Sequence, residues 1–548
     1  MNIFYGKTCL SVAEKRWIGT AAHEKRRGSG IEPFCNRIEP PSILSSSSPN
    51  WQFVRISGIT ESIQKQIWEG WMAAHETTLM ITFGLYLVAL IVIGYLGERK
   101  FSRSYNDFVS AGKSLGSIVT ALSAAASSES AWVMLGLSGL GYAKGLAAYW
   151  AVIGCVAGFA VNWLFVIVPV RRISGVHNSL TLADMVEDEL EDRKKMLRII
   201  GSIVIVFFMG VYVVSQFVGA GKTLHGMGLM DYRQGVLLGS IIIAAYVLMG
   251  GYAAVCWTDA LQGLLMALIM VSLPILAIVD AGGPMRIHSV IQSAGLEGFW
   301  SLKGLSIWGS VGFIVGQLGI GLGYQGMPHV VVRYITVKNE EEGRRSGMIA
   351  TVWGILVLAG SVTLGIAGRV LYPVLKDPEH ILPKFAAEHL PPVLAGVVLA
   401  AITAAIMSTA DSQLMYAATS LVNDLWLKLT KRKVEERHLV LATRLVILVM
   451  TAIAIFVALL NVKVIYTFVL YAWGALGAAF SPMILSMIYF RRFNKWGALT
   501  NLIVGPLTVI IWNNIPVLNQ AVYELIPAFF MSLLAGWAVS VLTWRRKP

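Results

Sequence analysis

Two short stretches, 124-AAASSES-130 and 319-GIGLGYQGMPH-329, interrupt hydrophobic runs that are otherwise suited to cross a membrane. Their small, polar and glycine residues disfavour a continuous helix. Backbone that loses its helical hydrogen bonds at membrane depth is tolerated only where it lines a cavity or the protein interior. We therefore expect a binding site at these two interruptions, and their positions indicate how the helices are arranged around it.

The composition places the chain in lipid. Of its 548 residues, 56% are hydrophobic and only 14% are charged, which is too few polar side chains for a soluble protein of this size. Runs such as 79-LMITFGLYLVALIVIGYLG-97 and 438-HLVLATRLVILVMTAIAIFVALL-460 are long enough to cross a hydrocarbon layer of about 30 Å as helices. The sequence therefore predicts an all-α integral membrane protein.

Hydrophobic runs and polar breaks predict about thirteen transmembrane helices. The interruptions lie in the second and seventh, five spans apart, as expected if spans 2 to 6 and 7 to 11 form two inverted repeats that each open on a broken helix. This predicts a leading helix (75–96), a first five-helix repeat (116–280), a second (304–490) and two trailing helices (497–544). The predicted spans are 75–96, 116–144, 148–170, 198–222, 235–252, 256–280, 304–328, 346–372, 391–423, 438–461, 464–490, 497–515 and 525–544.

Residues 1–72 differ in character, with the serine run 44-LSSSSPN-50 and no apolar stretch suited to a signal sequence. We expect this extension to be disordered. Since Met72 directly precedes the first span, and a basic tail outside the cell fits the charge rule poorly, we expect the natural start there.

The net charge of +13 is spread between the hydrophobic runs and forms no basic groove or tail, which argues against a nucleic-acid partner. If the first span starts outside, most basic residues, including those from Arg171 to Arg198 and from Arg333 to Arg345, fall in cytoplasmic segments. We therefore predict an outside N-terminus and a cytoplasmic C-terminus. The four cysteines have no metal-binding spacing, and no catalytic motif is evident, so we predict neither an enzyme nor a cofactor.

Three carboxylates within predicted spans, Glu129, Asp259 and Asp411, are costly in lipid and are therefore functional candidates. The alternative for Asp259 and Asp411 is a place at the interface in water. Ser408, Thr409 and Ser412 offer hydroxyls within about one helical turn, and freed carbonyls at 124–130 could complete a set of hard oxygen ligands for a small cation. The alternative is that these hydroxyls bond to carbonyls one turn back.

Several motifs in one order are similar to the sodium/solute symporter family, and most closely to its bacterial sodium/proline branch. They are 113-KSLGSIVTALSAAAS-127, 211-VYVVSQFVGAGK-222, 251-GYAAVCWTD-259, 323-GYQGMPH-329 and 404-AAIMSTADSQL-414. The resemblance extends from about residue 75 to about 490. It implies a leucine-transporter-like core of two inverted five-helix repeats that works by alternating access in the bacterial inner membrane.

The resemblance also implies ligands for the coupling ion. The principal sodium site of the family corresponds to the carbonyls of Ala126, Glu129 and Ala405 and the hydroxyls of Ser408 and Thr409. A possible second cation site corresponds to Asp259, Ser408, Asp411 and Ser412. Asp411 stands where a serine is usual, and a carboxylate there would bind a cation more strongly or take up a proton.

The solute pocket implied by the resemblance is lined by aromatic side chains. The corresponding positions are Ser130, Trp132, Tyr212, Ile320, Tyr324 and Pro328. Trp132, Tyr212 and Tyr324 also suit a pocket by residue type, although most membrane aromatics pack or line the interface. Three residues depart from the branch. Ile320 replaces a tryptophan, and the two residues that the resemblance implies in coupling, Ser128 and Lys113, replace an aspartate important for sodium and an arginine.

The resemblance thus implies sodium-coupled import of proline or a related small amino acid, with the lipid bilayer, sodium and the solute as partners and the oligomeric state open. An alternative is sodium- or proton-coupled uptake of another small organic acid, which Ile320, Glu129 and Asp411 favour. A distant alternative is a transporter-like solute sensor, which would need a signalling domain beyond the last span.

Overall fold

The computed structural model describes residues 76–96, 104–249, 251–302, 306–427, 429, 434–460 and 465–544. In these ranges the regular secondary structure is helical, apart from one isolated backbone bridge between Leu115 and Val337. The prediction of an all-α membrane protein is confirmed. The predicted extension, residues 1–72, lies outside the described residues.

Eleven helices in the described part of the chain are long and apolar enough to cross a membrane. Two shorter apolar helices, Ser117–Ser128 and Tyr232–Leu248, accompany them. The count of thirteen and its grouping into repeats stay predictions. The eleven helices are Glu76–Leu96, Trp132–Val176, Met196–Gly226, Tyr252–Asp280, Ile307–Gly326, Glu340–Leu371, Pro392–Leu427, Glu436–Leu460, Ile465–Tyr489, Lys495–Asn514 and Leu525–Leu542.

A glycine divides the long segment Trp132–Val176 at the boundary predicted between the second and third spans. Gly145 has φ +58°, a backbone conformation that costs a side chain strain. A Cβ atom there would also lie 2.1 Å from the carbonyl oxygen of Phe299. Both constraints require glycine, and the chain turns at this point into the helix that begins at Tyr149.

Both predicted interruptions break their helices. In the first broken helix (residues 117–144), Ser117–Ser128 ends at Glu129, which has non-helical φ −100° and ψ 23°, and a π-helical turn follows over Trp132–Leu137. In the second broken helix (residues 307–336), Ile307–Gly319 passes into a 3-10 segment over Ile320–Gly326. Met327 is extended, as expected before a proline, and Pro328 begins a new helix.

The second broken helix continues farther than the sequence predicted. Every residue of Pro328–Thr336 is buried. The prediction that a cytoplasmic loop begins at Arg333 was therefore wrong for Arg333 itself, which lies in a buried helix. The basic residue that follows the apolar run resembles a loop charge in sequence. In the structure the helix resumes after Pro328 and carries Arg333 into the protein interior.

The helix Pro392–Thr419, called helix 392–419 below, lies at the centre of the protein. In the membrane span Pro392–Leu427, which contains this helix, 83% of the most apolar stretch is buried. The corresponding share is 22% in Glu76–Leu96 and in Glu436–Leu460. It contacts the first half of the first broken helix as well as the helices Met196–Gly226 and Tyr252–Asp280. This central position places its polar residues away from lipid, where they can form a site.

We predict that Gly145→Ala lowers thermal stability more than Gly228→Ala. Both glycines have positive φ, so each alanine pays a backbone strain of about 1–2 kcal/mol. Only at Gly145 would the new Cβ atom also collide with backbone, since nothing lies within 4 Å at Gly228. The measurement is the temperature at which half of the detergent-purified protein remains monodisperse. Equal shifts for the two variants would contradict the steric role of Gly145.

Candidate functional site

Hydroxyls of helix 392–419 meet backbone carbonyls of the first broken helix. Ser408 Oγ donates to the carbonyl of Ala126 at 3.0 Å, and Thr409 Oγ1 donates to the carbonyl of Ser127 at 2.9 Å. Ser408 Oγ also lies 3.3 Å from the carbonyl of Ala405, within its own helix. Three of the five predicted sodium ligands, Ala126, Ala405 and Ser408, are therefore in contact, whereas Thr409 contacts a carbonyl outside the predicted set. The bonds run between helices as well as one turn back.

The fifth predicted ligand, Glu129, lies at the break itself. Its amide donates to the carbonyl of Ala125 at 3.1 Å, which is the last helical bond before the bend. Its carboxyl group is fully buried and accepts a hydrogen bond from the hydroxyl of Tyr324 on the second broken helix. Glu129 thus links the two broken helices through its side chain.

A buried guanidinium contacts two of the four residues of the predicted second cation site. Arg333 Nη2 donates to Asp259 Oδ2 at 2.9 Å and to Ser412 Oγ at 2.5 Å. It also bonds Ser127 Oγ at 2.9 Å, and its Nε donates to Ser123 Oγ at 3.0 Å. Charged groups in the interior need a partner, and here Arg333 supplies the positive charge beside Asp259. Neither Asp259 nor Arg333 is at the water interface.

Asp411 is also fully buried, which places it inside the protein and not at the interface. One carboxyl oxygen accepts from the amide of Ser412 at 2.5 Å, and the other, Oδ2, has no hydrogen-bond partner among the described residues. The structure thus places Asp411 beside Ser412, which bonds Arg333. Whether this group of residues holds a cation stays a prediction.

The predicted solute residues are buried around the break. The Trp132 ring stacks on Tyr466 with ring centroids 5.7 Å apart, and the Tyr212 hydroxyl lies 3.4 Å from Ser130 Oγ. Tyr324 packs on Phe159 at 4.8 Å. Ile320 begins the 3-10 segment on which Tyr324 lies, Pro328 begins the helix that follows, and both are buried. The predicted solute residues, called the solute wall below, are therefore buried on or beside the two broken helices.

An indole lies in this wall although position 320 is isoleucine. Trp473, on the helix Ile465–Tyr489, packs edge-on against Tyr324 with centroids 4.7 Å apart. Its Nε1 donates to the carbonyl of Ile320 at 3.0 Å. Close approach is possible because residue 323 is glycine, where a Cβ atom would lie 2.1 Å from this nitrogen. The sequence reasoning missed Trp473.

The two predicted coupling residues lie apart. Ser128 Oγ donates to the carbonyl of Ala125 at 2.9 Å, within its own helix. Lys113 lies before the first broken helix, and its Nζ donates to the carbonyl of Ser174 and to Asn178 Oδ1, each at 3.2 Å. Burial lowers the pKa of the Lys113 ammonium below its usual value, and nearby Arg171 lowers it further. Lys113 therefore belongs to the end of the helix bundle and not to the solute wall.

An ionic cluster lies beside the other end of the first broken helix, next to Gly139. Lys222 Nζ donates to Asp377 Oδ2 at 2.7 Å and to Glu379 Oε2 at 2.6 Å. Glu379 also accepts from the amides of Ile465 and Tyr466, at the start of the helix that carries Tyr466 against Trp132. Burial raises the pKa of Asp377, but the hydrogen bond and charge of Lys222 outweigh this effect and hold the pKa below its usual value.

Sequence reasoning also missed buried polar residues that support the break. Gln216 Oε1 accepts from the amide of Ala131 at 3.1 Å. His329 is fully buried, with its ring edge-on to Tyr212 at 6.4 Å, and neither ring nitrogen has a hydrogen-bond partner among the described residues. A polar residue within a hydrophobic run was the available signal for both.

Comparison with known proteins gives consistent matches. The model of the sodium:solute symporter family matches residues 108–505. The high-affinity proline transporter PutP of Bacillus subtilis is 37% identical over 83% of this chain and 96% of that protein. A sodium/proline symporter of Staphylococcus aureus is 34% identical over 89% of this chain and 95% of that protein.

A solved structure shares the fold. A Na+-coupled sialic acid symporter, in a substrate-bound outward-open state, matches with a TM-score of 0.70 and 19% identity over 85% of this chain and 97% of that one. At this identity the likeness concerns the fold alone.

We predict that Arg333→Met strongly destabilises the protein, whereas Arg345→Met does not. Removing one partner of a buried pair leaves an uncompensated charge and typically costs about 3–5 kcal/mol. Arg345 is exposed and pairs with Glu341 one turn away, where such a pair contributes little. Adding Asp259→Asn to Arg333→Met should recover most of the loss. Thermal stability in detergent checks all three, and equal stability of the two single variants would contradict the assignment.

Proposed function

Because this chain belongs to the sodium:solute symporter family, we propose that it imports proline or a related small amino acid together with sodium. The observation that carries this proposal is the contact of Ser408 and Thr409 with the carbonyls of Ala126 and Ser127. It places hydroxyl and carbonyl oxygens together at a broken membrane helix, which is the arrangement that a dehydrated small cation requires.

In this proposal sodium binds the carbonyls of Ala126, Glu129 and Ala405 and the hydroxyls of Ser408 and Thr409. The Ser408 hydroxyl lies 3.0 Å from the carbonyl of Ala126 and 3.3 Å from that of Ala405, so small shifts suffice to turn these oxygens toward an ion. Binding would hold the break firmly against helix 392–419. Since Ser130 and Trp132 directly follow the break, ordering it also orders the solute wall.

Polar contacts at the two ends fit alternating access. The cluster of Lys222, Asp377 and Glu379 lies at one end, where Glu379 binds the amide of Tyr466, the residue that stacks on Trp132. At the other end, Arg171 Nε donates to the carbonyl of Val337 at 2.7 Å, so this basic residue lies beside the turn between the helices Pro328–Thr336 and Glu340–Leu371. We propose that these two ends open in turn, as two states whose populations the ligands shift.

The relatives and the apolar helices fit a multi-pass protein of the bacterial plasma membrane. We propose that the N-terminus is outside and the C-terminus cytoplasmic, with Lys113 and Arg171 at the cytoplasmic end. We also propose the grouping into two five-helix repeats with one leading and two trailing helices. Since the named relatives are transporters, we propose transport without catalytic activity, and no sensor role.

A second candidate is sodium- or proton-coupled uptake of another small organic acid. The observations that favour it are the buried carboxyl groups of Glu129 and Asp411 and the isoleucine at position 320. Uptake of a labelled panel of amino and organic acids at fixed membrane potential, with and without sodium, separates the two candidates. Sodium-independent uptake of an acid other than proline would favour the second.

We predict that sodium and proline raise each other's affinity by the same factor. This reciprocity follows from thermodynamic linkage between two sites on one protein. Proline binding to purified protein, measured over a range of sodium concentrations, and sodium binding, measured over a range of proline concentrations, check it. A proline affinity that does not change with sodium concentration would overturn the proposed coupling.

We predict that Ser408→Ala and Thr409→Ala each raise the sodium concentration for half-maximal proline uptake by about tenfold, since each removes one oxygen ligand. Thr443→Ala is the matched control. Its hydroxyl is also buried but bonds the carbonyl of Leu439, one turn back in a helix outside the site. Uptake in proteoliposomes gives the values. An unchanged sodium requirement in both site variants would argue against the site.

A further inference from the structure

Glu129 carries a side chain that the proposed sodium site does not use. In that site only its backbone carbonyl faces the ion. Its carboxyl group contacts Tyr324 of the solute wall, where the phenolic hydroxyl donates to Oε1. The second oxygen, Oε2, is buried and has no hydrogen-bond partner in the described part of the chain. A buried acceptor of this kind is costly unless a donor reaches it, so it points to a ligand.

The charge around Glu129 differs from that around two other buried carboxyl groups, those of Asp259 and Glu379. Asp259 lies 2.9 Å from Arg333, and Glu379 lies 2.6 Å from Lys222. Across the described ranges, Glu129 forms no ion pair with a Lys, Arg or His side chain within 4.0 Å. Buried acidic groups are retained when a cation or hydrogen-bond donor compensates them. For Glu129, a transported solute can supply that donor.

Polar atoms without a partner also lie near the break. Trp132 Nε1, an N–H donor, and the two ring nitrogens of His329, one a donor and one an acceptor in a neutral imidazole, are buried and have no hydrogen-bond partner among the described residues. They are connected to the break through Ser130, whose Oγ accepts from the amide of Trp132 and lies 3.4 Å from the hydroxyl of Tyr212, which packs on His329. An unpaired acceptor and unpaired donors in one wall form the polar complement of a zwitterion.

We propose that the carboxyl group of Glu129 accepts a hydrogen bond from the amine of the solute and selects zwitterions that carry an N–H over fully N-methylated betaines. This inference rests on the proposed function. Tyr324 holds one carboxyl oxygen, which leaves Oε2 as the acceptor without a partner among the described residues. A betaine has no N–H, so its binding would leave Oε2 unpaired, and sites built for a hydrogen bond reject analogues that lack it. Trp132 and His329 offer N–H donors for the solute carboxylate.

The test is competition against labelled proline uptake in proteoliposomes at saturating sodium. The competitors are proline, N-methylproline and N,N-dimethylproline, which carry two, one and no N–H on the charged nitrogen. We expect the wild type to prefer proline to N,N-dimethylproline by at least about tenfold, with N-methylproline between them. Equal competition by all three in the wild type would overturn the inference.

The decisive variant is Glu129→Gln, which keeps the shape of the side chain and places an NH2 donor where the acceptor was. We expect the preference for proline over N,N-dimethylproline to fall from at least about tenfold to about twofold or less. The half-saturating sodium concentration should stay the same, because the backbone carbonyl of residue 129 remains. Glu388→Gln, at an exposed glutamate paired with Lys384, is the matched control and should change neither value.

The outcomes separate this inference from the proposed function. If the wild type takes up no proline in a sodium gradient, the proposed function fails. If it does, but Glu129→Gln keeps the preference and instead raises the sodium requirement, Glu129 acts in the cation site and the inference is wrong. Should Glu129→Gln not purify as a monodisperse protein, the competition series in the wild type still decides.

Discussion

A carbonyl group that leaves its helix inside a membrane needs a donor from the protein, because the hydrocarbon offers none. This constraint acts at the break after Ser128, and the hydroxyls of Ser408 and Thr409 meet it. The donors have to be short side chains on a helix that approaches closely, which explains the deeply buried position of helix 392–419. The same oxygens that satisfy the broken backbone are hard ligands, which is why we propose a site for a small cation here.

The second broken helix is tied to the same place by charge. The guanidinium of Arg333 reaches residues on three other helices, namely Ser127, Asp259 and Ser412. A buried ion pair is weak evidence for stability because desolvation opposes its attraction. Its value here lies in position: the planar fork of an arginine fixes the second broken helix relative to the first. A movement of either broken helix therefore has to change the bonds of the other.

The sequence predicted the helices well wherever lipid imposes a simple rule. Long apolar runs, and breaks made of glycine, serine and proline, indicated the spans and both interruptions. The predictions failed where a contact spans a large distance along the chain. Arg333 follows an apolar run and resembles a loop charge, and only the packing of Pro328–Thr336 against Asp259 shows that it is buried. Trp473 contacts a residue 153 positions away, which no local pattern indicates.

The wall around Ile320 receives its indole from a distant part of the chain. Trp473 forms a T-shaped pair with Tyr324, and its N–H donates to the backbone carbonyl of Ile320. That indole uses its N–H on the backbone, so this donor is committed to a carbonyl and not to the solute. Trp473 therefore contributes apolar packing and no free N–H at this point. In the proposed function, discrimination among small amines comes instead from Glu129, which is held by the tyrosine that Trp473 packs against.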